Sequence, residues 1–267
     1  MLNYFFQNGI CIVVVFLFFG ILVGCNRTTL DNTLNTTNSV VDIQHFKTNP
    51  SDQFLVNYTD VIDGHMFKGA NSLSPHSGAH VVFSTHNGPV QELSYYPPIY
   101  AVADGQVSRV ETYFQVNPSN SESHFRYGLS LIIAKQGDLD VVFHYSIEPF
   151  IDPLDSSFYL PFIQVKKGDN VKKGDIVAYM FQGSNQNLHI HFHLKVGDLF
   201  QAPVIFSKSV MTQFLERIST KNGGVKNYVL YDQGVPTEWM GDCLGYKITA
   251  NENPFESEPA ECLNYFE

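Results

Sequence analysis

Residues 188–194, Leu188-His189-Ile190-His191-Phe192-His193-Leu194, alternate apolar and imidazole side chains. Period-two alternation marks a β-strand with one buried face, so Ile190, Phe192 and the two leucines read as the core side. Successive strand side chains point to opposite faces, which puts His189, His191 and His193 in one column. A hydrophobic core has no use for three adjacent polar rings, and a solvated face needs none. Imidazole is the commonest zinc ligand and also exchanges protons near neutral pH, so one face of this strand can supply both a ligand and a base. The plainer alternative is a histidine-rich surface strand, or histidines satisfied by hydrogen bonds.

Strand-like runs precede this one at 79–84, 99–102, 106–116, 127–134, 139–146 and 176–181, and the histidine strand itself spans 188–196. Short β-rich runs separated by Gly, Pro, Asn and Asp clusters predict a mainly β domain, built as a mostly antiparallel sheet. Residues 117–124 (Asn-Pro-Ser-Asn-Ser-Glu-Ser-His) read as a loop or hairpin excursion. Residues 99–105 run into an Asp104-Gly105 turn, and the strand at 127–133 is entered through Gly128. Val165-Lys166-Lys167-Gly168-Asp169 is repeated six residues on as Val171-Lys172-Lys173-Gly174-Asp175. The glycines permit tight hairpin backbones and the lysines solvate their outer faces.

Taken in order with the His-x-His of His189 and His191, these segments resemble the LytM/lysostaphin-type zinc endopeptidases of bacterial cell walls, over roughly residues 76–196. The resemblance implies a compact antiparallel β-sheet core of the duplicated-hybrid-motif type, with a groove over one face. It implies Zn2+ as cofactor, with His191 a ligand and His189 a catalytic histidine that helps activate water. Val142-Phe143-His144-Tyr145-Ser146 resembles the family's Tyr-x-His-Leu-Ser, which makes His144 the other catalytic histidine. The family's first metal motif is His-x-Gly-x-Asp. Here Pro75-His76-Ser77-Gly78-Ala79-His80 matches it with His in place of Asp, giving His76 and His80 as the other ligands. His193 stands where the family has Glu. A rival first ligand is His86, in His86-Asn87-Gly88, but its fourth position is Val90, which cannot bind metal. Choosing His76 and His80 completes three ligands. His45, His65 and His124 carry no motif and read as surface or structural residues.

The chemistry implied is that of a zinc hydrolase, in which three protein ligands leave a position for water whose pKa falls from ~15.7 to around 7. His189 would take a proton from that water and His144 would stabilise the oxyanion on the scissile carbonyl. A third imidazole in place of a carboxylate makes the site more positive and more easily emptied by protons at low pH. The substrate implied is a peptide bond in the stems or cross-links of peptidoglycan. The alternative is a non-catalytic relative, a lipoprotein that regulates cell-wall amidases. Such relatives typically lose metal or catalytic histidines, whereas His76, His144, His189 and His191 all remain here. A cytoplasmic sugar-transport phosphocarrier, which shares the family's fold, conflicts with the export signal described next.

Residues 10–24 form an unbroken apolar run of about 15 residues, short for a membrane span, which needs ~20, and suited to the apolar region of a signal peptide. Leu22-Val23-Gly24-Cys25 resembles the lipobox of bacterial lipoproteins, implying cleavage before Cys25 and lipidation of its thiol. No Lys or Arg precedes the run, a departure from the usual signal. The expected location is outside the cytoplasm, lipid-anchored, and on the outer membrane facing the periplasm if the cell is Gram-negative. Residues 25–50 are Thr- and Asn-rich and read as a flexible tether, 51–200 as the β core and 201–267 as a C-terminal extension. Within the extension, Phe206, Val210, Met211, Phe214, Leu215 and Ile218 have amphipathic-helix spacing, a helix expected to pack on the sheet. Cys243 and Cys262, a late pair in an exported chain, read as a disulfide. With 267 residues, 44% of them apolar, the chain has ample material for a core; its net charge of −10 argues against a nucleic-acid partner.

Overall fold

The computed structural model describes residues 40–65, 78–86, 92–116, 124–151, 153, 155–183, 188–197, 199–201, 203, 205–221 and 248–249. The expected signal peptide, the lipidation site Cys25, the first ligand His76, the rival's partner position Val90 and the Cys243/Cys262 pair lie outside these residues. In chain order the described elements are helix α1 (His45–Thr48) and strands β1 (Val61–His65), β2 (Ala79–Phe83), β3 (Pro98–Tyr100), β4 (Gly105–Val116), β5 (His124–Gln136) and β6 (Leu139–Ile151). They continue with β7 (Asn170–Val171), β8 (Ile176–Tyr179), β9 (His189–Val196), β10 (Leu199–Gln201), helix α2 (Lys208–Lys221) and β11 (Ile248–Thr249).

The fold is mainly β, as expected, and antiparallel at every described strand pair. The large sheet runs β1-β2-β9-β6-β5-β4-β7, with β10 pairing the C-terminal half of β9 and β11 pairing β10. The histidine strand therefore lies inside the sheet, with β6 along one side and β2 then β10 along the other. Its apolar residues Ile190, Phe192 and Leu194 are fully buried, as alternation requires. β5 and β6 are the two long strands of a hairpin closed by Gly137-Asp138, where Gly137 takes φ 60°, a conformation an L side chain resists.

A two-stranded sheet of β3 and β8 is attached to the large one through phenol groups on its apolar face. Tyr145 of β6 donates to Tyr100 O and accepts from Val102 N, both at 3.1 Å. Tyr127 of β5 donates to Tyr179 O at 2.6 Å and accepts from Phe181 N at 2.8 Å. Burial pushes both phenols well above their ordinary range, so they remain hydrogen-bond donors. The two Lys-Lys-Gly-Asp repeats form the same turn. In each, the Asp carboxylate accepts the backbone N–H of the first Lys (Lys166 at 2.9 Å, Lys172 at 2.8 Å), and the glycine has positive φ (94° and 89°).

The other part of the apolar face is covered by α2, the expected amphipathic helix. Val210, Met211 and Phe214 are buried, and Phe214 packs 5.2 Å from Phe54, whose ring also meets Phe192 and Phe206. Ordered packing starts earlier than the expected boundary near residue 50. Ile43 donates to Lys135 O, Lys135 donates to Val41 O, and Ile43 and Phe46 are buried. The apolar side chains of that segment, few as they are, dock along the end of β5.

Candidate functional site

With helix and small sheet on one face, the polar face of the large sheet carries the histidines. The β2–β9–β6 register sets them in rows across the strands. His80 and Ser146 flank His191, Val82 and Glu148 flank His189, and His144 lies opposite His193. On β5, Gly128 continues the His191 row and Ser130 the His193 row. On β2 the half-exposed His80 and Val82 share this face, while Ala79, Val81 and Phe83 are buried on the other.

In the central row His80 Nε2 stands 3.1 Å from His191 Nδ1. With Zn–N bonds of 2.0–2.1 Å, two ligands of a tetrahedral zinc stand roughly 3.3 Å apart, so this pair has the separation and the converging nitrogens a shared ion requires. His191 Nε2 lies 3.3 Å from His193 Nδ1. With the N–H of His191 Nε2 directed there, the Nδ1 lone pair would be left toward His80, the arrangement metal-bound histidines generally show. Gly78, in the expected metal motif, has a specific reason to be glycine: a Cβ at that position would stand 2.3 Å from His191 Nε2. Among the described residues no three His, Cys, Asp or Glu side chains converge to hold a metal by themselves, and the third expected ligand, His76, lies outside them. The two described donors fit a zinc site.

The His189 row is charged. The His189 ring stacks on His80 at 4.1 Å, and its Nε2 is 3.5 Å from Glu148 Oε2. The same carboxylate oxygen lies 3.0 Å from His124 Nε2, and Oε1 lies 2.6 Å from Arg126 Nη1 and 3.1 Å from Ser146 Oγ. Burial alone would raise the Glu148 carboxyl, but the hydrogen bond from His124 and the charges of His189 and Arg126 outweigh it and bring it down to about 2.

On the opposite flank, the His144 ring stacks on His193 at 5.0 Å and its Nδ1 bonds Ser130 Oγ at 2.8 Å. Burial, aided by the charges of Arg126 and Arg109, lowers its pKa to about 4, so the ring is neutral at pH 7. The sequence reading joins His144 and His189 as one catalytic pair, and the structure separates them. His144 pairs with His193 and Glu148 with His189, so the two rows are four residue steps, roughly 13 Å, apart along the strands. His86, the rival ligand, stands beyond the end of β2 with its ring 6.4 Å from Tyr96. His124, read as an ordinary residue, is buried in the charged row. Glu148, Arg126 and Ser130 carry no motif, and only their cross-strand positions bring them to the site.

Solved structures similar to this chain include the catalytic domain of the antimicrobial peptidase lysostaphin from Staphylococcus simulans, at 18% identity and TM-score 0.31, covering 57% of this chain and 88% of that one. A longer lysostaphin structure gives 19% identity, TM-score 0.32 and coverage of 63% and 53%. A candidate M23 peptidase of Pseudomonas aeruginosa gives 20% identity, TM-score 0.28 and coverage of 55% and 47%. The chain thus spans about half the length of the latter two. No protein-family model matches the chain, and no curated protein matches it. At TM-scores near 0.3 the likeness carries no argument, and the functional reading rests on the residues of the site.

Proposed function

We propose that this chain is a zinc-dependent endopeptidase that hydrolyses peptide bonds in the stems or cross-links of peptidoglycan. The observation that carries the reading is the His80–His191 pair at 3.1 Å, with His193 behind His191 and His189 stacked beside His80. His80 and His191, joined by His76, would hold the ion, which when bound supplies a Lewis acid and an acidified water. His189 then takes the proton of the attacking water and returns it to the leaving amine. His144, neutral and bonded to Ser130, lies on the far flank, where it would contact a peptide extending past His193 rather than share a carbonyl with His189. Peptidoglycan as substrate follows from the sequence motifs. Export and anchoring follow from the lipobox at Cys25, so Cys25→Ser should abolish incorporation of radiolabelled lipid; undiminished labelling would sink that part of the reading.

A second reading, a non-catalytic lipoprotein that regulates cell-wall amidases, draws on the separation of His144 from His189. One experiment separates the two. The purified chain is incubated with peptidoglycan sacculi, with and without chelator, and the soluble products are sized by mass spectrometry. A peptidase yields new peptide termini that vanish with chelator and return with zinc. No cleavage by zinc-loaded protein, together with stimulation of an amidase, would support the regulator.

A further inference from the structure

Glu148 is the β6 residue that faces His189 across the sheet. β5 and β6 fall out of step there: Tyr127 pairs with Ile147 and Phe125 with Ile151, so Arg126 alone spans Glu148, Pro149 and Phe150. Extra residues in one strand bend it and re-aim its side chains, and such bulges concentrate next to functional sites. Within this one Phe150 takes φ 54°, a left-handed conformation that a bulky residue holds only when its surroundings impose it. Its ring stacks 4.0 Å from that of His124 and lies 5.2 Å from that of His189. The bulge thus sets one carboxylate, 6% exposed, against two imidazoles, a guanidinium and a hydroxyl. A buried carboxylate is retained only where partners offset its lost hydration.

We propose that Glu148 is the positioning carboxylate of the site, holding His189 through Nε2 while His124 and Arg126 hold Glu148. The proposal rests on the reading of His189 as the base. With Glu148 Oε2 3.5 Å from Nε2, the carboxylate would favour the His189 tautomer protonated at Nε2, leaving the lone pair on Nδ1 to take a proton from the attacking water. A carboxylate behind the imidazole fixes its tautomer and stabilises the imidazolium formed at that moment. The proton leaves Nδ1 again for the amine of the departing peptide, and Glu148 remains ionised throughout. His124 and Arg126 bind different oxygens of the carboxylate, which prevents it from turning away from His189.

The test uses the full-length chain in detergent as wild type, Glu148→Gln and Glu148→Asp. Zinc content and kinetics on soluble peptidoglycan peptides are measured, and zinc-free samples labelled with 15N-histidine give the ring-nitrogen spectrum of His189 at one fixed pH, assigned with His189→Ala. Glu148→Gln should keep zinc and KM, lose about 10- to 100-fold in kcat, and move the His189 signals away from the Nε2-protonated form. Glu148→Asp, which keeps the charge, should recover part of both effects. Should Glu148→Gln fail to fold, Glu148→Asp decides alone: an intermediate kcat with shifted nitrogen signals supports the proposal, and wild-type values for both overturn it. A folded, zinc-loaded Glu148→Gln chain with wild-type kcat and wild-type His189 signals overturns it outright. A wild-type chain that binds zinc and cuts nothing would remove the peptidase reading, while the nitrogen spectrum would still decide whether Glu148 holds His189.

Discussion

A single hydrogen atom at Gly78 leaves room for the His191 ring, since a Cβ there would come within 2.3 Å of Nε2. Gly78→Ala should therefore push His191 off both His80 and His193, weakening zinc binding about 10- to 100-fold with the β-rich circular dichroism spectrum unchanged. Zinc competition against a chelating dye reads this directly. Glu148 gives a pH prediction of definite sign. Its folded carboxyl titrates near 2, below its ordinary 4.5, so its stabilising contribution is complete above about pH 4.5 and is lost as the pH falls toward 2. Wild type should thus lose on the order of 2 kcal/mol more over that interval than Glu148→Gln in denaturant titrations of the zinc-free chain. The column of three histidines was legible in the sequence because period two is a local property of one strand. Glu148 and His124 were not, because their place depends on how β6 is registered against β5 and β9, and a bulge between Ile147 and Ile151 decides that register. A motif likewise fixes a residue's position on its own strand and not the residue it faces across the sheet, which for His144 is His193.

α2 shows the opposite balance at the scale of elements. Its apolar spacing announced a helix packed on the sheet, and the structure puts Phe214 there, fully buried between Phe54 and Phe192. Phe214→Ala should cost about 3–5 kcal/mol through lost burial and the cavity left behind. That corresponds to a thermal midpoint about 10 °C lower, measured by circular dichroism, with zinc affinity little changed because the helix lies on the face away from the histidines. The paired Lys-Lys-Gly-Asp turns were equally legible, since glycine in a left-handed conformation and a carboxylate capping a nearby N–H are encoded within four residues. β1 and β10 were missed. Val61-Ile62-Asp63-Gly64-His65 and Leu199-Phe200-Gln201 are short and break the alternation, and they become strands by adding to the exposed flanks of β2 and β9. Short strands of that kind are specified by the neighbours they pair with rather than by their own pattern.

Over the whole molecule, the antiparallel sheet divides the chain's chemistry between two faces. One is closed by α2, the β3–β8 sheet and a cluster of aromatic rings, and it accounts for the stability. The other presents His80, His189, His191 and His193 with the Glu148–Arg126 pair beside them, and it accounts for the proposed activity. The division was readable in outline at the histidine strand, where alternation sets Ile190, Phe192 and Leu194 against His189, His191 and His193. Where the N-terminal segment joins the core was not, since Val40-Val41-Asp42-Ile43-Gln44-His45-Phe46 is too short for a periodic pattern and is placed by backbone pairing with Lys135 at the end of β5. The proposed zinc ion would sit on the polar face alone, held by His80 and His191 together with His76 and served by His189. Zinc per chain, measured by atomic emission after dialysis of wild type, His80→Ala, His191→Ala and His189→Ala, tests this placement most directly. One zinc is expected in wild type and His189→Ala, and almost none in His80→Ala and His191→Ala. Zinc retained in His80→Ala and His191→Ala, or lost on removing His189 alone, would contradict it.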